Sequence, residues 1–239
     1  MTYDKIKAIM RLFLASQDLG NYAYILQEMV GKKRHAFVIS NARDYYNDEE
    51  KIASSVDKTI VNLGKIGIKA ERLDLRPYFN KQSELEKLIT EKDPGLIFSI
   101  GGNVICLATA IHASGLDKII RKGLIEDKFI YGGYSAGSMV AADNLSLYQF
   151  RVQAEDEQPS YNIPDVTREI YQLKPHKQGL GLLSQQYIIP HMDRADHIDM
   201  MLKRITQIKQ AGEEAIRLND TDVFVIDDNS AHIMRERRM

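Results

Sequence analysis

The feature of this sequence that most constrains its fold is the alternation of short apolar runs with longer amphipathic stretches. Strands that alternate with helices are typical of βαβ units, in which helices cover both faces of a largely parallel sheet. The runs predicted as strands are Ile9–Ala15, Ala36–Ile39, Ile68–Leu73, Gly95–Ile100, Lys128–Tyr131 and Tyr187–Ile189. The stretches predicted as helices are Asn21–Val30, Asp48–Leu63, Ser83–Thr90 (with Ser83 as its cap), Val104–Ala113, Leu116–Ile125 and Ala195–Gln210. The sequence therefore predicts an α/β fold.

Two further segments depart from this alternation. Leu147–His176 contains three prolines and an acidic cluster, and we interpret it as a long irregular excursion that roofs the functional site. Asp222–Ile226 and Ala231–Met234 are predicted to form a β-hairpin. The chain shows no internal repeat, low-complexity tract or linker, so we expect one domain over residues 1–239.

Charge and cysteine content exclude several classes of function. The 32 basic and 33 acidic side chains give a formal net charge of −1, which offers no electrostatic reason to expect nucleic acid or an anionic membrane as a partner. The single cysteine cannot form an internal disulfide, as is typical of a reducing compartment. No apolar run reaches a signal-peptide core or the roughly 20 residues of a membrane span. We therefore expect a cytoplasmic protein.

The most informative motif is Gly133-Tyr-Ser-Ala-Gly137, which follows a predicted strand and precedes a helix. This is the expected context of the G-x-S-x-G nucleophile elbow, in which a sharp turn exposes a serine hydroxyl at the carboxyl edge of a sheet. The motif predicts Ser135 as a nucleophile. The Ala136 N–H and the following helix would then face a developing oxyanion.

A second glycine turn, Gly101-Gly102, follows the predicted strand Gly95–Ile100. Because ligands of open parallel sheets bind outside the carboxyl ends of the strands, both glycine turns should lie on one edge. The Gly102 N–H, which no side chain shields, is a candidate second oxyanion donor. A plain strand-to-helix connection or a weak phosphate-binding turn remains an alternative.

An activated serine needs a histidine within hydrogen-bond reach. Among the six histidines, His191 directly follows the predicted strand Tyr187–Ile189, and would meet the serine if that strand joined the same sheet. His197, on the next helix, is the alternative. A carboxylate should orient the imidazole. The candidates between serine and histidine are Glu155, Asp156 and Asp143.

Several motifs together resemble the peptidase E (S51) family, which includes aspartyl dipeptidase and, more distantly, cyanophycinase. The motifs are Arg11–Ser16, Gly101-Gly-Asn103, Gly115–Arg121, Tyr131–Gly137, Gly179–Leu183 and Ile189-Pro-His191. The resemblance implies a flavodoxin-like, class I glutamine amidotransferase-like three-layer sandwich with a mainly parallel sheet. It also implies Ser135 as nucleophile, His191 as base, and Gly102 and Ala136 as oxyanion donors. We expect no metal or cofactor.

These observations favour a serine peptidase that hydrolyses short peptides through an acyl-enzyme, in a chain that could form a homodimer. The related amidotransferases carry cysteine where this chain has Ser135, which argues against a glutaminase. Cys106 falls inside a predicted helix and is interpreted as a small buried hydrophobe. Two alternatives remain: a catalytically inactive binding module of the same fold, and an esterase with the same elbow. The H-G-G-G-like loop expected of the esterase is missing.

Overall fold

The structure is a computed structural model that describes residues 10–46, 48–148, 164–228 and 230–235. Its strands are β1 Leu12–Ala15, β2 His35–Ile39, β3 Lys69–Leu73, β4 Leu96–Ser99, β5 Ile130–Tyr134, β6 Gln186–Ile189, β7 Glu214–Arg217, β8 Val223–Asp227 and β9 Ser230–Met234. Its α-helices are α1 Ala23–Val30, α2 Glu49–Lys65, α3 Gln82–Lys92, α4 Val104–Ser114, α5 Leu116–Ile125, α6 Ala136–Met139, α7 Pro164–Tyr171 and α8 Ile198–Gln210. Short 3-10 helices span Asn41–Tyr46, Arg76–Tyr78 and Leu145–Tyr148.

Seven strands form the main sheet in the order β3-β2-β4-β5-β1-β8-β9. The first five are parallel, whereas β8 and β9 continue the sheet as the predicted antiparallel hairpin. The carboxyl ends of β1, β4 and β5 therefore lie side by side at one edge. The predicted α/β fold with a mainly parallel sheet is confirmed.

Alternate residues of the buried main-sheet strands enter two separate cores, which explains why these strands are apolar throughout. Leu12 and Leu14 face one core, while Phe13 and Ala15 face the other. Helices α1 and α2 cover the second core, and side chains from α3, α4, α5, α6 and α8 fill the first. Since the helix after β1 and the helix after β5 lie on opposite faces, a crevice opens between the ends of these neighbouring strands.

The strand that leads to His191 does not join the main sheet, contrary to the condition set by the sequence. Strand β6 pairs in parallel with β7, a strand that the sequence analysis missed, in a separate two-stranded sheet. This small sheet packs on the first core through Ile188, Ile189 and Ile216. Parallel pairing places the carboxyl ends of β6 and β7 together, and both point toward the crevice beside β1.

Two other local expectations were wrong. Helix α7 forms within the segment predicted to be irregular, starting at Pro164, a residue well suited to the first turn of a helix. Residues 149–163 of the predicted roof lie outside the described residues. Ser83 does not cap α3, since the helix begins at Gln82 after the N-cap residue Lys81. The organisation of residues 1–239 as one domain stays a prediction.

No helix in the described ranges is both long enough and apolar enough to cross a membrane.

Two helical glycines give a matched test of packing. A methyl group on Gly123, in α5, would lie 2.2 Å from the buried Phe129 ring, whereas one on Gly64, in α2, would meet no atom within 4 Å. We expect Gly123→Ala to lower the free energy of unfolding by about 1–3 kcal/mol through overpacking. We expect Gly64→Ala to raise it by about 0.5–1 kcal/mol through helix propensity. Urea unfolding measures both, and a stable Gly123→Ala variant would contradict this packing of α5.

Candidate active site

The Gly133–Gly137 turn predicted as a nucleophile elbow lies where β5 passes into α6. Ser135, between the two, has a φ of 50°, a backbone conformation that residues other than glycine rarely adopt. A Cβ atom on Gly137 would lie only 2.0 Å from the Ser99 carbonyl oxygen at the end of β4, so the turn fits against its neighbouring strand only with glycine there. The predicted strand–turn–helix context of Ser135 is thus present. Helix α6 has only four residues, so its dipole is small.

Buried hydrogen bonds hold this strained turn in place. The Ser135 N–H donates to the Ser16 carbonyl at 3.1 Å, at the end of β1. The Ser138 hydroxyl lies 2.7 Å from the Ala15 carbonyl oxygen and 2.8 Å from that of Gly133. The buried Tyr131 hydroxyl donates to the Gly137 carbonyl at 2.8 Å. The position of the Ser135 hydroxyl is therefore fixed by the sheet beneath it.

His191 lies against the candidate nucleophile, with its Nε2 3.0 Å from the Ser135 Oγ. Its own backbone is unusual, with a φ of 62°, and its N–H donates to the Ser16 Oγ at 2.8 Å. The ring of His197 lies farther out, 6.5 Å from that of His191 between centroids. Between the two histidines weighed from the sequence, the structure brings His191 to the serine.

The carboxylate on the other side of the imidazole is Asp220, which the sequence analysis missed. Its Oδ1 lies 2.5 Å from the His191 Nδ1, and its Oδ2 accepts a hydrogen bond from the Arg194 Nε at 2.6 Å. The Asp220 N–H donates to the Asp193 Oδ1 at 2.9 Å, which fixes the loop after β7. The expected acids, Glu155 and Asp156, lie outside the described residues.

The sequence feature that could have located Asp220 is the strand that precedes it, β7. His191 follows β6 by two residues and Asp220 follows β7 by three, so parallel pairing brings both to the same edge. The short, half-polar sequence of β7 does not stand out as a strand, and without it Asp220 appears only as part of a polar turn.

Burial sets the charge state of the imidazole. Desolvation lowers the pKa of His191 from its ordinary value, and the Arg194 cation lowers it further, against the hydrogen bond and charge of Asp220 that raise it. Desolvation raises the pKa of Asp220, but hydrogen bonds from His191 and Arg194 outweigh it, and the net shift is downward. Asp220 is therefore ionised and His191 neutral at pH 7. A carboxylate can only accept, so Nδ1 carries the proton and Nε2 accepts from the Ser135 hydroxyl.

The second glycine turn borders the same cleft. Gly102 has a φ of 151°, and a Cβ atom there would lie 2.1 Å from the Ala42 carbonyl oxygen, so the turn requires glycine. The Asn103 side chain accepts from the N–H groups of Ile105 and Cys106 and caps α4. No described residue accepts a hydrogen bond from the N–H of Gly102.

A cleft of about 230 Å³ opens over the serine and histidine. Its charged side chains are Asp18, Arg43, Lys58 and Arg194. Cys106 is fully buried away from it, and desolvation raises the pKa of its thiol to about 12, so the thiol stays protonated. The interpretation of Cys106 as a small buried hydrophobe agrees with this environment.

Comparisons with known proteins identify the family to which this chain belongs. Residues 14–234 match Peptidase family S51. A putative peptidase E protein from Listeria monocytogenes EGD-e superposes with a TM-score of 0.70 at 19% identity, covering 96% of this chain and 100% of the other. A peptidase from an acI-B1 Actinobacterium superposes with a TM-score of 0.66 at 18% identity, covering 96% and 89%. No curated protein matches the chain.

The match spans nearly the whole chain, and the chain belongs to peptidase family S51. It is accordingly a serine-type peptidase hydrolase, with the class I glutamine amidotransferase-like fold that its sequence motifs implied.

The charge state of His191 can be measured directly. Because desolvation lowers its pKa, the imidazole should titrate with a midpoint below the ordinary histidine pKa of about 6.5. Asp220→Asn removes the charge and hydrogen bond that raise this pKa, so the midpoint should fall further. NMR titration of the ring nitrogens reports both, with Asp227→Asn, a change in an exposed residue of the β8–β9 hairpin, as the control. A rise in the Asp220→Asn variant would contradict the assigned pairing.

Proposed function

We propose that this protein hydrolyses short peptides through an acyl-enzyme formed on Ser135, with His191 as the base and Asp220 as the acid that orients it. The observation that carries the proposal is the continuous hydrogen-bonded series of Ser135 Oγ, His191 Nε2, His191 Nδ1 and Asp220 Oδ1. An imidazole Nδ1–H donates to one acceptor at a time, and Asp220 already fills that position. We therefore assign to Asp220 the role that the sequence had offered to Glu155 or Asp156.

The chemistry follows from this arrangement. His191 takes the hydroxyl proton through Nε2 as the Ser135 Oγ bonds to the scissile carbonyl carbon, and Asp220 stabilises the imidazolium. The carbonyl oxygen becomes an oxyanion, for which the N–H groups of Gly102 and Ala136 are the proposed donors. His191 returns its proton to the leaving amine as the C–N bond breaks. A water molecule, deprotonated by the same imidazole, then releases the acyl group from Ser135.

The size and charge of the cleft favour short substrates with an acidic group. A volume of about 230 Å³ lies below the usual range of 300–1,000 Å³ for pockets that hold drug-sized ligands. Arg43 borders the cleft with its guanidinium supported from behind: its Nε donates to the Gly101 carbonyl at 2.8 Å, and its Nη1 lies 3.3 Å from the Tyr46 hydroxyl. We propose that Arg43 binds a substrate carboxylate next to the scissile bond.

The first test concerns the nucleophile and base. A fluorophosphonate probe should label wild-type protein at Ser135, and Ser135→Ala should abolish both labelling and hydrolysis of a dipeptide library. His191→Ala should lose about as much activity as Ser135→Ala, because members of such a unit are not additive. His197→Ala is the matched control and should stay near wild type. Undiminished labelling of Ser135→Ala, or an inactive His197→Ala beside an active His191→Ala, would refute the assignment.

The second test concerns Arg43. Arg43→Gln should lower kcat/KM about 10- to 100-fold for a dipeptide with an aspartate beside the scissile bond. This factor corresponds to the loss of one hydrogen bond to a charged group, about 1.5–3 kcal/mol. The corresponding asparagine dipeptide should change little. Arg34→Gln is the control, since its Nε also donates to a backbone carbonyl, that of Gly31, at the opposite edge of the sheet. Equal losses on both dipeptides would refute a carboxylate contact.

A further inference from the structure

The 3-10 turn Asn41–Tyr46 lies directly behind the glycine turn that borders the active site. Its Ala42 carbonyl accepts a hydrogen bond from the Asn103 N–H at 2.7 Å and stands against Gly102, where a Cβ atom would be 2.1 Å away. Its Arg43 donates to the Gly101 carbonyl at 2.8 Å. A displacement of this turn would therefore move both the Gly102 N–H and the Arg43 guanidinium.

The turn is itself held by a tyrosine from another part of the chain. The Tyr171 hydroxyl, at the end of α7, lies 2.6 Å from the Asp44 Oδ2 and 3.2 Å from the Asn41 carbonyl oxygen. The Asn41 side-chain amide also donates to the Asp44 Oδ2, at 2.8 Å. The Asp44 side chain is completely buried, so hydrogen bonds from these donors replace those that water would make to its carboxylate.

Helix α7 is fixed at two other points, so the Tyr171 hydroxyl is presented from a packed support. The buried Thr167 hydroxyl lies 3.1 Å from the Cys106 Sγ on α4. The Tyr171 ring meets the Phe79 ring edge to face, at 5.4 Å between centroids and 87° between planes. Because these contacts fix the position of the Tyr171 ring, its hydroxyl is held within hydrogen-bond distance of the turn.

We propose that Tyr171 and Asp44 are positioning residues of the peptidase site, which hold the Asn41–Tyr46 turn so that the Gly102 N–H and Arg43 face the substrate. The inference rests on the proposed function of the cleft. Neither residue touches the reacting atoms. Their contribution passes through two contacts of the turn, Ala42 with Asn103 and Arg43 with Gly101.

The buried carboxylate gives this arrangement a pH signature. Burial raises the pKa of Asp44, while the hydrogen bonds from Tyr171 and Asn41 lower it. Loss of the Tyr171 hydroxyl should raise the pKa of Asp44 further, so that the carboxylate takes up a proton at a higher pH and is a poorer acceptor for Asn41. The titratable or charged groups that face Asp44 are Tyr171 from α7, Cys106 from α4, and Arg76 and Asp74 from the segment after β3.

The test is Tyr171→Phe, which removes one oxygen and keeps the ring against Phe79. We expect kcat at pH 7 to fall about tenfold on acidic and neutral dipeptides alike, less than the 10²–10³ that loss of a whole oxyanion donor costs. The acid limb of the kcat profile should move to higher pH. A variant with kcat within twofold of wild type and an unchanged acid limb would overturn the proposal.

Two further variants separate positioning from general stability. Asp44→Asn combined with Tyr171→Phe has no carboxylate to titrate, so its acid limb should not move upward with loss of the hydroxyl. Gly123→Ala lowers the stability through overpacking in α5 and leaves Tyr171 and Phe79 unchanged, so the Tm should fall while kcat and its pH profile stay near wild type. A kcat loss in Gly123→Ala as large as that in Tyr171→Phe would assign the effect to stability and overturn the proposal.

Hydrogen exchange provides a readout that does not depend on peptidase activity. In Tyr171→Phe the amides of residues 41–46 and of Asn103 should exchange faster relative to the other protected amides of the chain, and in Gly123→Ala they should not. Unchanged protection in Tyr171→Phe would overturn the proposal even if activity fell. Failure of the proposed function would give a different result: wild-type protein would not hydrolyse peptides, or the hydrolysis would survive Ser135→Ala. In that case hydrogen exchange would still test whether Tyr171 holds the turn against Asn103.

Discussion

Ser16 joins the parts of the structure on which the site depends. It follows β1 directly, and its carbonyl accepts from the Ser135 N–H at 3.1 Å while its hydroxyl accepts from the His191 N–H at 2.8 Å. The same hydroxyl lies 3.4 Å from the carbonyl oxygen of Leu218, two residues before Asp220. One buried residue thus links Ser135, the proposed nucleophile on the main sheet, to His191 and to the segment before Asp220, which follow the small sheet.

The parts of the site that sequence alone predicted are those encoded locally. The elbow around Ser135 is visible because a strand, a tight turn and a helix start occur within one continuous segment, and Gly137 is required by contact with the adjacent strand. His191 was located by its place after an apolar strand, although that strand belongs to a different sheet. The main sheet was predictable for the same reason: buried parallel strands are apolar on both faces.

The parts that were not predicted depend on pairing between distant segments. Asp220 reaches His191 only because β7 pairs with β6, and β7 carries a buried apolar side chain at Ile216 alone. Position in the chain between serine and histidine therefore gives no indication of Asp220, the acid proposed here. The contact of Tyr171 with Asp44 was not predicted either, because it joins residues 127 positions apart in the chain. Hydrogen bonds of this kind leave no periodicity in a sequence, since each partner is a single polar residue in its own segment.

Backbone strain and electrostatic interactions both act on the series Ser135, His191 and Asp220. Ser135 and His191 both have positive φ values, a cost that persists only where surrounding contacts fix the backbone, as Ser16 does for both. The electrostatic balance is equally constrained. Hydrogen bonds from His191 and Arg194 keep the pKa of Asp220 low and the carboxylate ionised, but the positive charge of Arg194 also opposes protonation of the imidazole. Asp220 is thus a full anion that can stabilise an imidazolium once it forms, while burial and Arg194 keep that imidazolium from forming before a substrate is attacked. A base that is neutral at rest and charged only during the reaction is what a serine nucleophile requires.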